Sequence, residues 1–171
     1  MARVAIVDYG LGNLRSVRRG LERAGARVVV TADRDCIEAA DGIVLPGVGA
    51  FREGMEMLGC LKSTVVRVSR DVPLLGICLG MQMLMDESEE HGRNAGLGLV
   101  PGRVRRFPSA AGMKVPHMGW NTIHVEEDDP LFEGLSRDEY VYFVHSYYAE
   151  TVPAHTLTTT EYILPFASSV R

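Results

Sequence analysis

Gly76, Cys78 and Gly80 stand where an apolar run gives way to a helical pattern, in the stretch Leu74-Leu75-Gly76-Ile77-Cys78-Leu79-Gly80-Met81-Gln82. A thiol in that place can serve as a nucleophile. A side chain projected from a tight strand-to-helix turn strains its own backbone, and a Cβ two residues to either side would clash with the turn. Glycine removes both clashes. The thiol then sits at the start of a helix, where the positive end of the backbone dipole favours thiolate. A plain core cysteine needs neither glycine. Cys36 and Cys60 lie inside helical patterns without such neighbours and are expected to serve packing.

An attacked carbonyl needs donors for its oxyanion. Leu45-Pro46-Gly47-Val48-Gly49-Ala50-Phe51 closes the preceding apolar strand and would lie at the same sheet edge as the thiol. Glycines on both sides of Val48 leave its peptide free to turn. Its N–H and that of Leu79, just after the nucleophile, could hold a developing negative charge. Asp8-Tyr9-Gly10-Leu11-Gly12-Asn13 resembles a dinucleotide loop, but Arg15 occupies the place of the third glycine and no acid falls where a ribose would be held, so nucleotide binding is rejected.

The elements that must carry these residues alternate. Apolar strands are expected over 2–7, 26–31, 42–45 and 72–77, and helices over 14–24, 33–40, 51–60, 61–70 and 79–87, with Asn13 capping the first helix. Continuous apolar strands between helices indicate an α/β fold, a layered, mostly parallel sheet with helices on both faces. Beyond a Gly-rich loop at 91–98, the second half reads as β-rich over 104–107, 122–125, 140–148 and 156–162, giving antiparallel additions to that sheet. The 171 residues are expected to form a single domain, 46% hydrophobic and 23% charged with a net charge of −4. These values exclude a disordered chain or coiled coil and give no long-range pull toward nucleic acid or membrane. With three cysteines, no Cys-x-x-Cys pair, no membrane-spanning run and no signal-peptide layout, neither a disulfide framework nor a metal site is expected, and the protein is expected in the cytoplasm. Trp120, the only tryptophan, lies in a loop-like segment between glycine and asparagine and suggests a partner hot spot, with a core tryptophan as the alternative.

The 76–82 segment resembles the nucleophile segment of the class I (triad) glutamine amidotransferases. Asp8–Leu14, Pro46–Phe51, Lys114-Val115-Pro116-His117-Met118-Gly119-Trp120-Asn121 and Tyr142–Tyr147 are similar, more narrowly, to the glutaminase subunits of imidazole glycerol phosphate synthases, which serve histidine biosynthesis. The resemblance implies that Cys78 attacks the glutamine amide, that Val48 and Leu79 hold the oxyanion, and that Gly47, Gly49, Gln82, Ser146 and Tyr147 contact glutamine. It implies a partner, a (β/α)8-barrel cyclase subunit that receives the ammonia, with Asn13, Trp120 and Tyr142 on or near the interface. It implies no cofactor.

The sequence departs from that family in one respect. The family's catalytic histidine and glutamate lie in a His-Pro-Glu segment, and residues 1–171 contain none. The expectation is a domain lacking its C-terminal strands and weak glutaminase activity for this polypeptide. His145 is the best substitute base, although a strand histidine is more often held by a backbone bond; His124 and His155 have no evident acid partner. Two readings stand beside the first: an amidotransferase domain for another synthase, and a non-catalytic thiol protein of the same elbow fold.

Overall fold

The computed structural model describes residues 1–171, which divide into two compact units, Met1–Leu84 and Met85–Arg171. In the first, β1 (Arg3–Val7), α1 (Leu14–Arg23), β2 (Arg27–Thr31), α2 (Arg34–Glu38), β3 (Gly42–Gly47), α3 (Phe51–Leu58), α4 (Lys62–Val68), β4 (Leu74–Cys78) and α5 (Leu79–Met83) follow one another. The four strands form a parallel sheet in the order β2-β1-β3-β4. Their apolar runs fill the interior: Ala5, Ile6 and Val7 of β1 and Ile43, Val44 and Leu45 of β3 are buried, with Ile37, Phe51, Leu58, Val65, Leu79 and Met83 supplied by the helices. Each such large apolar side chain contributes about 1.5–3 kcal/mol of burial.

Local signals set the helix ends. The Asn13 side chain accepts from the Ser16 N–H at 3.3 Å and starts α1; Asp33 accepts from the Cys36 N–H at 2.8 Å and starts α2. The helix expected over 79–87 is shorter. It stops at Met83, and Met85–Ser88 is a strand, β5, that pairs parallel with β7 (Val100–Arg106). Asp86 fixes this change by accepting from the Gly102 N–H at 2.9 Å. Met85 and Ser88 are buried three positions apart while Asp86 faces solvent, because the pairing with β7 shifts register between Met85 and Glu87; that spacing reads as helical in the sequence.

The second unit holds β5, β6 (Asn94–Ala95), β7, β8 (His117–Val125), β9 (Asp138–His145), β10 (Tyr147–Glu150), β11 (Thr156–Glu161) and β12 (Pro165–Val170). The β-rich half therefore does not extend the parallel sheet. It makes its own eight-stranded mixed sheet, ordered β6-β5-β7-β10-β12-β11-β8-β9. Neighbours in sequence pair antiparallel in it, β8 with β9 and β11 with β12. Phe107, Tyr148 and Phe166 form its aromatic core, with Phe143 and Tyr162 packed against them.

Candidate active site

The sharpest local feature of the first unit is the backbone of Cys78. Its φ is +55° and ψ −115°, and Cys78 and His91 are the two non-glycine residues with positive φ. Such a conformation costs on the order of 1–3 kcal/mol and persists only where the surroundings impose it. Here they do. A Cβ on Gly76 would lie 2.7 Å from the Met81 Cα, and one on Gly80 would lie 1.8 Å from the Leu45 carbonyl oxygen. The first turn of α5 therefore rests on the backbone of β3, and Cys78 is left exposed at the junction. The glycine spacing read from sequence has the steric cause expected of it.

Gly47 is the register partner of Cys78 across β3 and β4. It is packed as tightly: a Cβ there would meet the Tyr9 hydroxyl at 2.7 Å, and the Gly80 nitrogen and Leu79 Cβ at 2.9 Å. The chain then opens. Val48 is half exposed and Gly49 has a φ of +100°. Leu79 is the first residue of α5, so its N–H has no acceptor within the helix. Gln82 lies one turn further along α5. The sheet thus gathers Cys78, Gly47, Val48, Gly49, Leu79 and Gln82 at the carboxyl ends of β3 and β4, while Asn13 caps α1.

Tyr9, part of the segment that resembles a dinucleotide loop, belongs with this group. It is buried, and its hydroxyl donates to the Pro46 carbonyl oxygen at 2.6 Å. Burial, with the nearby Cys78 as a second cause, pushes the phenol up to about 12. A buried tyrosine must satisfy its hydroxyl, and an apolar strand end followed by Asp-Tyr-Gly could have pointed to it. Cys36 and Cys60, expected to pack, are instead exposed, because α2 buries only Ile37 and the turn carrying Cys60 buries only Leu61.

In the second unit Ser146 joins β9 to β10, which Tyr147 begins, and the Ser146 carbonyl oxygen accepts from the Phe107 N–H at 3.0 Å. The histidines are spoken for. The Tyr147 carbonyl oxygen can only accept, so His145 donates to it from Nδ1 at 2.9 Å. His145 Nε2 then accepts from His117 Nδ1 at 2.9 Å, and His117 Nε2 faces the Asn121 amide nitrogen at 3.3 Å. That amide also donates to the Glu161 carbonyl oxygen at 2.8 Å. Burial, and then the neighbouring His145, lower His117 to about 4; burial lowers His145 as well. His117 lies between the rings of Phe143 and Tyr162, at 4.8 and 3.9 Å. Both imidazoles are neutral, with both ring nitrogens in use, so His145 is the backbone-held strand histidine and not a free base. His124 does have an acid partner: Asp138, opposite it in register, lies 2.5 Å from its Nδ1.

The β8–β9 pair presents an apolar ladder to solvent. Met118 faces Val144, Trp120 faces Tyr142 and Thr122 faces Tyr140, with the Trp120 and Tyr142 rings edge-to-face at 5.6 Å. Trp120 is 71% exposed and lies within a strand, not a loop; the alternation of β8 turns His117 and Ile123 inward and Met118 and Trp120 outward. Glu150 pairs with two neighbouring arginines of β7, Arg103 at 2.7 Å and Arg105 at 3.1 Å. No helix is long and apolar enough to cross a membrane.

Residues 5–163 match the family model described as glutamine amidotransferase class-I. Among curated proteins the chain is similar to the imidazole glycerol phosphate synthase subunit HisH of Methanosarcina acetivorans, with 52% identity over 171 residues, covering 99% of this chain and 84% of that protein. It is similar to the subunit of the same name from Natronomonas pharaonis, with 56% identity over 176 residues, 99% of this chain and 80% of that protein. Among solved structures, one titled glutamine amidotransferase superposes with a TM-score of 0.70 at 18% identity, over 96% of this chain and 88% of its own. PurLQS of Thermotoga maritima gives 0.64 at 20% identity, over 99% and 78%. The structural matches carry the fold alone; the curated relatives carry the family.

Proposed function

The chain belongs to the class I glutamine amidotransferases, with the HisH-type subunits of imidazole glycerol phosphate synthase, and from that premise we propose that it splits ammonia from glutamine and passes it to a cyclase subunit. The observation that supports this most is the strained Cys78, held at positive φ between two glycines that have no room for a Cβ.

In this reading the Cys78 thiolate attacks the side-chain amide carbon of glutamine, forming a C–S bond and moving the carbonyl π electrons onto oxygen. The N–H groups of Val48 and Leu79 stabilise that oxyanion. Collapse breaks the C–N bond, and the nitrogen leaves as ammonia with the proton that the thiol gave up. Water then adds to the thioester, releasing glutamate and restoring the thiol. Gly47, Gly49 and Gln82 are assigned to glutamine binding. The ammonia goes to a (β/α)8-barrel cyclase, which makes imidazole glycerol phosphate and an aminoimidazole carboxamide ribotide.

A chloroketone analogue of glutamine tests the nucleophile without requiring turnover. It is expected to alkylate Cys78 and spare Cys36 and Cys60, although all three are exposed. Peptide mass spectrometry gives the positions, and an excess of glutamine slows the reaction. Equal labelling of the three thiols contradicts the proposal.

The Trp120–Tyr142 ladder is assigned to the cyclase interface. An exposed apolar ladder built on a rigid strand pair makes a hot spot at low ordering cost. Trp120→Ala is expected to weaken binding of the cyclase subunit by about 30-fold, on the order of 2 kcal/mol. Its effect on folding stability stays within about 0.5 kcal/mol, as for a surface substitution. Calorimetric titration of the cyclase into each chain measures the first and thermal melting the second. An unchanged affinity removes this face from the interface.

A further inference from the structure

Tyr9 stands at the end of β1, and its hydroxyl reaches the turn that leaves β3. A carbonyl oxygen only accepts, so the 2.6 Å contact with Pro46 is donated by the tyrosine. The other polar neighbour of the hydroxyl is the Met83 sulfur at 3.8 Å, a weak acceptor. Burial keeps the phenol protonated far above neutral pH, so it remains a donor throughout any working range.

The bonded oxygen belongs to the peptide that joins Pro46 to Gly47. In a trans peptide the C=O and N–H point in opposite directions across one plane, so fixing the oxygen fixes the Gly47 N–H as well. The same hydroxyl lies 2.7 Å from where a Gly47 Cβ would go, and the Gly80 nitrogen and the Leu79 Cβ lie 2.9 Å from that point. Gly47 is thus clamped between Tyr9 and the turn that carries Cys78. One peptide further on, Val48 is half exposed and Gly49 has positive φ. The plane that carries the Val48 N–H swings from the clamped one.

We propose that Tyr9 is a positioning residue for glutamine cleavage: by holding the Pro46–Gly47 peptide it aims the following N–H, on Val48, at the oxyanion. This rests on the reading of Cys78 and Val48 given above. Tyr9 touches no reacting atom and acts through Gly47.

Tyr9→Phe removes the hydroxyl and keeps the ring. In the native complex with the cyclase, kcat for glutamine is expected to fall about tenfold, less than the loss of an oxyanion donor outright, with KM within about twofold. Alkylation of Cys78 by iodoacetamide is expected to hold within about twofold, because displacement at a saturated carbon forms no oxyanion. An unchanged kcat overturns the proposal. A loss of alkylation in step with kcat also overturns it, since the hydroxyl would then act on the thiol or on the fold. The Cys78→Ala complex separates the two readings: if it still hydrolyses glutamine, the nucleophile assignment fails and the role of Tyr9 fails with it. Cys78-dependent activity that Tyr9→Phe leaves untouched overturns the role of Tyr9 alone.

Discussion

Cys78→Ser is expected to lower glutamine-dependent ammonia release by about 1,000-fold or more in the native complex with the cyclase subunit. The substitution keeps the Cβ, and with it the strained backbone at φ +55°, so the geometry of the turn is retained. The chemistry changes. A serine hydroxyl at neutral pH holds its proton far more tightly than a thiol, and an elbow that relies on thiolate gives it little help. Stability is expected to shift by less than about 1 kcal/mol, since one small exposed atom is exchanged for another. Free ammonia supplied to the same complex should still reach the cyclase, which separates loss of glutamine cleavage from loss of assembly. A glutamine-dependent rate within about tenfold of the unaltered complex would rule out Cys78 as the nucleophile.

Gly80→Ala is expected to have the largest effect on folding. The added Cβ would stand 1.8 Å from the Leu45 carbonyl oxygen and 2.7 Å from its carbon, both backbone atoms of a buried strand. A flexible side chain could move aside; β3 cannot, because it is paired with β1 on one edge and β4 on the other. To make room, α5 must lift off the sheet, uncovering the buried Leu79 and Met83. The expected cost is about 4 kcal/mol or more, a large part of the 5–15 kcal/mol that holds an ordinary domain together. A melting temperature lower by about 10 °C, or failure to accumulate as folded protein, is the expected result. A variant that melts within about 2 °C of the unaltered chain would mean that α5 does not lie on β3 as described.

The elbow was legible because its signature is local, although the atom that excludes a side chain at Gly80 lies on β3. Gly76 and Gly80 are required by atoms within one strand-turn-helix segment and the strand beside it, and the apolar run followed by helical spacing announces that segment. Asn13 as a cap and Val48 between two glycines belong to the same kind of short-range information. The β5 segment was not legible. Met85–Ser88 reads equally well as the end of a helix, and only its pairing with β7 and the bond from Gly102 to Asp86 make it a strand. The exposure of Cys36 and Cys60 was hidden for a related reason: helical spacing shows that a face exists and does not say which neighbours cover it.

The amino-acid sequence by itself determined the alternation of apolar strands and helices, the nucleophile with its two glycines, and the family. Each of these is written in residue types a few positions apart, where backbone sterics and burial act directly. The tertiary structure decided what depends on partners far apart in the chain. It set the β-rich half as a sheet of its own, bonded His145 to His117 and to the Tyr147 carbonyl, placed Asp138 opposite His124, and turned Trp120 outward beside Tyr142. It also carried Tyr9 across 37 positions to the Pro46 carbonyl. Hydrogen bonds and burial depend on distance in space, and the register of a sheet brings together atoms that no short window of sequence contains.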